Sequence, residues 1–111
     1  MMMQTIDLDR LTGNGKVHNL SGHVRGLAAR TEFGLDDLDT ASAQVRVIVP
    51  DHVYSLSPSF VQGLFSASVK ALGNNPATFF SHYEIVASEL VRRQIDRAML
   101  NITLDRDFTA N

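Results

Sequence analysis

Ser57-Pro58-Ser59-Phe60 is the stretch whose residue types best suit chemistry at a helix start. Serine caps a helix by accepting an amide hydrogen of the first turn. Proline is favoured at the first helical position because its missing N–H would have no partner there. Such a turn presents unpaired amides and the positive end of the helix dipole, so it suits a phosphorylated serine or a bound anion. A phosphate there adds about −1.5 to −2 charges and changes any interface the helix presents. The plainer alternative is structural: Ser57 caps, Pro58 preorganises the turn, and Ser59 is a small first-turn residue.

Other chemistry finds less support. Four histidines, His18, His23, His52 and His82, lack the His-Glu-x-x-His spacing of a zinc site and are expected to be ordinary surface residues. No metal or cofactor is expected. A Ser-His-Asp set assembles on paper from Ser57 or Ser59 with His52 and Asp51, but chain neighbours rarely reach that geometry. The G-x-S-x-G elbow is also absent, so no catalysis is expected. Gly13-Asn14-Gly15-Lys16 lacks the phosphate-loop spacing and reads as a turn. Asp36, Asp37 and Asp39 suggest a solvated acidic loop or helical turn, with a metal or basic-partner site as the alternative; the EF-hand pattern is missing. Arg92, Arg93 and Arg97 read as a solvated helix face partly neutralised by Glu89 and Asp96, the alternative being a phosphate-contacting face.

Composition narrows the classes further. At 111 residues the chain has the length of one domain, and with 44% apolar residues it has enough of them for a globular core. Having no cysteine excludes disulfide scaffolds, thiolate metal sites and cysteine nucleophiles, and fits a reducing compartment. A net charge of −2 lacks the positive excess of a nucleic-acid binder, and no helix-turn-helix spacing appears. No secretory signal or membrane-length apolar run is present, so a cytoplasmic location without membrane or nucleic-acid partners is expected.

The elements that must position the serines follow from periodicity. Met2 to Leu8 reads as a strand and Val17 to Leu20 as a second one closing a hairpin across Gly13-Asn14-Gly15. Ser21 offers an N-cap to a first helix whose inward positions are Val24, Leu27, Ala28 and Thr31. Gln44 to Val49 alternates as a strand that Pro50 ends. Behind Ser57-Pro58, Phe60, Val61, Leu64, Phe65, Ser68 and Leu72 trace one helical stripe. Gly63, Ala67 and Ala71 suggest close approach to a neighbour, and Gly73 to Pro76 stops the helix. Phe79 to Ala87 reads as a strand. A last helix capped by Ser88 buries Leu90, Val91, Ile95, Ala98, Met99 and Ile102, and the tail from Asp105 is polar. Alternating strands and helices argue for an α/β fold.

The run Val53 to Phe65 carries a strand into S-x-S-P-S-F and then an amphipathic helix with Leu64-Phe65 one turn on. It resembles the STAS-like domains of unknown function, distantly similar to bacterial anti-sigma-factor antagonists. The likeness extends more weakly from Gly22-His23-Val24-Arg25-Gly26-Leu27-Ala28-Ala29-Arg30 to the last helix. The resemblance implies one STAS-like domain over residues 1–111, with its core over about 22–104 and a mixed, mostly parallel sheet of about four strands carrying three helices.

In those antagonists a partner kinase phosphorylates a serine in the equivalent turn, which by position matches Ser59, and an acid matches Ser57. They carry Asp-Ser-Ser-Gly where this chain has Ser57-Pro58-Ser59-Phe60. The function implied is a non-catalytic regulatory module that binds another protein through Val53, Tyr54, Pro58, Phe60 and Gln62. Ser57 or Ser59 is then the phosphorylation or anion site. A kinase-like ATPase regulator and a second copy of the chain are the partners implied. The alternative is a small-anion or nucleotide-binding module that uses the same helix N-terminus.

Overall fold

Val45 and Val47 point to one side of their strand while Arg46 and Ile48 point to the other, and that alternation centres the structure. The computed structural model describes residues 3–104, so Met2 at the expected start of the first strand and the tail from Asp105 lie outside it. In chain order come β1 (Gln4–Asp7), a 3-10 turn (Leu8–Leu11), β2 (Asn19–Leu20), α1 (His23–Phe33), α2 (Leu35–Thr40) and β3 (Val45–Ile48). β4 (Ser55–Leu56), α3 (Pro58–Ala71), α4 (Pro76–His82), β5 (Tyr83–Val86) and α5 (Glu89–Leu104) complete the described residues.

The fold is α/β with every strand pairing parallel. β3 lies between β1 and β5, and Ile6, Val47 and Ile85 stand in register across the three. A separate pair, β2 and β4, aligns Leu20 with Leu56. The described residues therefore hold five strands in two sheets and five helices, where the sequence suggested about four strands and three helices. The expected hairpin also fails: β2 pairs with β4 instead of β1. Parallel pairing requires a long crossover, and α1 through β3 supplies it. The buried core runs from Ile6, Leu8 and Leu20 to Ile102, with Phe60, Phe65, Phe79 and Tyr83 among its largest members.

Two further differences have local causes. Phe79 to Ala87 is not one strand, because Asn75-Pro76 opens α4 with the same cap-then-proline arrangement that opens α3. The Asn75 side chain accepts from Ala77 N at 2.8 Å, and only Tyr83 onward is extended. The first helix is turned around its axis. Gly26, Ala29 and Arg30 face inward, leaving Val24 78% and Leu27 46% exposed. Gly26 sets that rotation by lying against Gly63 of α3. A Cβ on Gly26 would meet the Phe60 carbonyl oxygen at 2.3 Å, and one on Gly63 would meet the His23 carbonyl oxygen at 2.3 Å. The other small residues of α3, Ala67 and Ala71, are exposed.

Arg30, only 7% exposed, binds the helices together. It donates to the Leu64 carbonyl at 3.1 Å, to Ser68 Oγ at 2.7 Å, to Asp36 at 2.7 Å and to Asp39. The Tyr83 hydroxyl donates to the other Asp39 oxygen. The acidic segment is thus a helical turn as expected, with Asp36 and Asp37 in solvent. Asp39, however, is 6% exposed and paired inside the molecule, because the adjacent guanidinium offsets the cost of burying it.

Candidate functional site

β2 leads into α1 and β4 leads into α3, so two helices begin side by side at the C-terminal edge of one parallel pair. The chain joins them there through Ser57 N, which donates to the Leu20 carbonyl at 2.9 Å. Ser57 is the cap the sequence indicated, with Pro58 following at the first helical position. Its Oγ accepts from Phe60 N at 3.1 Å and also from Gly22 N at 3.3 Å, so one hydroxyl serves the starts of both helices. α1 has Gly22 and not the expected Ser21 at its N-cap, with no side-chain cap of its own, and the Ser57 hydroxyl meets the amide of that cap residue.

Ser57 Oγ also lies 3.1 Å from Ser59 Oγ. A hydroxyl has one hydrogen and two acceptor positions, and the two amides occupy both acceptor positions of Ser57. Ser57 therefore donates to Ser59, whose Oγ makes no other hydrogen bond among the described residues. Ser59 is half-buried on the wall of a cleft of about 340 Å³, between Pro58 and Gln62 of α3 and Ala98 and Asn101 of α5. On the far side of Pro58 a second cleft of about 280 Å³ is bordered by Ser21, Ser55, Ser57, Gln94 and Arg97. Gln94 fixes α5 here by accepting from Leu56 N at 2.8 Å. The exposed Arg97 guanidinium makes no ion pair among the described residues.

Of the residues expected on the contact surface, Tyr54, 58% exposed, and Pro58 face solvent, and Gln62 is half-buried on the first cleft. Val53 and Phe60 are each 1% exposed, which corrects their assignment to that surface. Their side chains complete the core beneath the turn. The sequence reading missed the α5 wall. Gln94, Arg97, Ala98 and Asn101 fall at helical i, i+3, i+4 and i+7 positions, a signal that marked one shared face.

The remaining candidates resolve separately. His52 Nε2 lies 2.7 Å from Asp9 Oδ1, so its acidic partner is Asp9 rather than Asp51. His52 Nδ1 is buried without a partner, so neither ring nitrogen engages a serine. His18 is half-buried, stacked on Tyr54 with ring centroids 5.0 Å apart, and its Nδ1 lies 2.7 Å from the His52 carbonyl. His82 Nε2 lies 2.6 Å from the Leu38 carbonyl, and His23 is exposed. All four histidines lie at or near the surface, and these contacts anchor three of them there. Glu89 pairs with Arg93, and Asp96 lies 3.9 Å from Arg92, as the helix spacing indicated. Among the described residues no three His, Asp or Glu side chains gather to hold a metal ion, and no helix is long and apolar enough to cross a membrane. Compared with known proteins, the chain matches no family model, no curated protein and no solved structure.

Proposed function

We propose that this chain is a non-catalytic regulatory module of the STAS-like kind that binds another protein around the first turn of α3, with Ser59 as its phosphorylation switch. The observation that carries the reading is the difference between the two serines: Ser57 Oγ accepts from two amides, whereas Ser59 Oγ meets only Ser57 Oγ among the described residues and lies on the wall of an open cleft. Phosphorylating Ser57 disturbs both amide contacts, the α3 cap included; phosphorylating Ser59 disturbs neither. A phosphate on Ser59 sits at the positive end of α3 and changes the charge of the surface formed by Tyr54, Pro58 and Gln62. The partner class is a kinase-like ATPase regulator, as the resemblance to anti-sigma-factor antagonists implies, and the setting is cytoplasmic.

Affinity capture from the native lysate with wild type, Ser59→Ala and Ser59→Asp tests this reading. A regulatory or kinase-like protein held by the first two and lost from the third supports it. Retention by all three removes Ser59 as the switch, and capture of nothing specific removes the binding reading.

A second reading is favoured by one observation: Arg97, without an ion-pair partner among the described residues, borders a serine-lined cleft beside two helix starts. That suits a small anion or nucleotide. A nucleotide at 100 times its Kd adds about 2.7 kcal/mol to stability. Thermal melts against nucleoside phosphates therefore decide it, and no shift with any of them eliminates it.

A further inference from the structure

The face that α1 turns to solvent is unusually apolar for an exposed helix. Val24, Leu27, Ala28 and Thr31 follow one another at i, i+3, i+4 and i+7, and all four are exposed. One flank of this row carries two charges of opposite sign two helical turns apart, Arg25 and Glu32. Arg25 has no ion-pair partner among the described residues. Glu32 meets Arg10 at 3.5 Å through one carboxylate oxygen only.

We infer that a second copy of this chain docks on this face, with the two α1 helices antiparallel about a two-fold axis near Ala28. The charge placement selects this occupant and this direction. In a two-fold antiparallel pair the same flank of each helix meets itself, so position 25 of one copy lies opposite position 32 of the other. Arg25 and Glu32 are equally far from the midpoint between residues 28 and 29, so one axis forms both ion pairs at once. Ala28, the smallest side chain of the row, falls at the crossing, and Val24 and Leu27 cover the seam on either side. Between Arg25 and Glu32 opens a cleft of about 170 Å³ floored by Leu11, Leu20 and Phe60. The methylene stem of the incoming Arg25 can lie over that floor while its guanidinium reaches the free oxygen of Glu32. A parallel arrangement would set this flank against the opposite flank, beside His23 and Leu27, and would leave neither charge a partner across the seam.

A helix of 11 residues is about 16 Å long, so this face covers less than the roughly 800 Å² per partner of a standard stable interface. The dimer is therefore weak and populated by concentration. It uses a face apart from Ser59 and does not depend on the switch reading.

Sedimentation over a series of chain concentrations tests the inference. Wild type is expected to move from monomer to dimer mass, and Val24→Glu to remain monomeric while melting like wild type, since Val24 contacts solvent. Arg25→Glu places like charges at both pairs and is expected to weaken association by about tenfold. The double exchange R25E/E32R is expected to restore it, because both pairs re-form with reversed sign. Wild type remaining monomeric to about 1 mM overturns the proposal, since weaker association lies below 4.1 kcal/mol of binding. A dimer indifferent to Val24→Glu, or one weakened by R25E but not rescued by the double exchange, overturns it as well.

Discussion

Ser57 and Ser59 are two residues apart and differ in what their hydroxyls hold, which separates their expected phenotypes. Ser57→Ala removes an acceptor from Phe60 N and Gly22 N together. Losing a cap costs about 1–2 kcal/mol, and a second amide left unsatisfied places the loss at the upper end. Ser59→Ala gives up only one partly exposed contact and is expected to stay within about 0.5 kcal/mol of wild type. Urea unfolding of both variants checks this. Equal effects would mean that Ser57 does not serve two helices. The first half of this arrangement was legible in the sequence, because a serine before a proline before an apolar stripe specifies a helix start by local chemistry alone. The second half was not. The amide of Gly22 reaches Ser57 only after β2 and β4 pair, and nothing in either segment announces a two-residue parallel pair. Phe60 and Val53 were misplaced on the contact surface because a turn that presents polar residues to solvent also needs apolar ones beneath it; the helical stripe already had Phe60 on the packed side, whereas Val53 precedes any periodic element.

At the scale of elements, the crossing of α1 and α3 depends on two glycines with no side chains to keep the backbones apart. In an isolated helix Gly26→Ala should gain about 0.8–1.0 kcal/mol of propensity. Here the added methyl meets the Phe60 carbonyl at 2.3 Å and Leu64 N at 2.8 Å, both backbone atoms that cannot rotate away. The helices must separate, so the substitution is expected to destabilise by at least about 2 kcal/mol net, overpacking outweighing propensity. A denaturation midpoint equal to or above the wild-type value would show that the crossing is looser than the geometry states. Periodicity served well where an element had one buried face and strong residue preferences: β3, α3 and α5 lie where alternation or a helical stripe placed them, except that Leu90, expected inside, is 58% exposed on the first turn of α5. It failed for α1 because the apolar stripe of α1 is the solvent face, while its packed face is made of Gly26, Ala29 and Arg30. A hydrophobicity pattern ranks glycine and arginine as poor core residues, and here close approach and a buried ion pair decide the orientation instead. It failed for α4 because the alternation of Tyr83, Ile85 and Ala87 with His82 and Glu84 was extended back to Phe79, and Asn75-Pro76 fits both a stop for one helix and a start for the next.

At the scale of the molecule, Arg30, Asp39 and Tyr83 tie α1, α2, α3 and β5 into one polar unit, drawn from positions 9 and 44 residues apart. No local pattern reveals such a unit, which is why the acidic segment read as solvated. Removing Arg30 leaves the buried Asp39 carboxylate without its counter-charge, so Arg30→Met is expected to cost about 3–5 kcal/mol. The alkaline behaviour of the fold is the sharper consequence. Burial raises the Tyr83 phenol above its ordinary range, and the neighbouring Asp39 carboxylate raises it further by disfavouring a second negative charge. An unfolded tyrosine loses its proton near pH 10, while the folded Tyr83 keeps it. Tyr83 therefore contributes its full stability below that pH. Above it the unfolded state binds fewer protons than the folded one, and stability falls as pH rises toward the folded value. One such group lowers unfolding free energy by about 1.4 kcal/mol per pH unit across that window. Urea midpoints between pH 8 and 11 should show the decline in wild type and a flatter curve in Tyr83→Phe. That variant begins less stable at neutral pH by about 1–3 kcal/mol, because an Asp39 oxygen is left without its donor. The chain has two tyrosines, so Tyr54→Phe isolates the signal of Tyr83. In that variant phenolate absorbance should rise only together with loss of the fold. A phenolate signal near pH 10 from a chain still folded by circular dichroism would mean that Tyr83 is open to solvent and that the polar unit does not close as described.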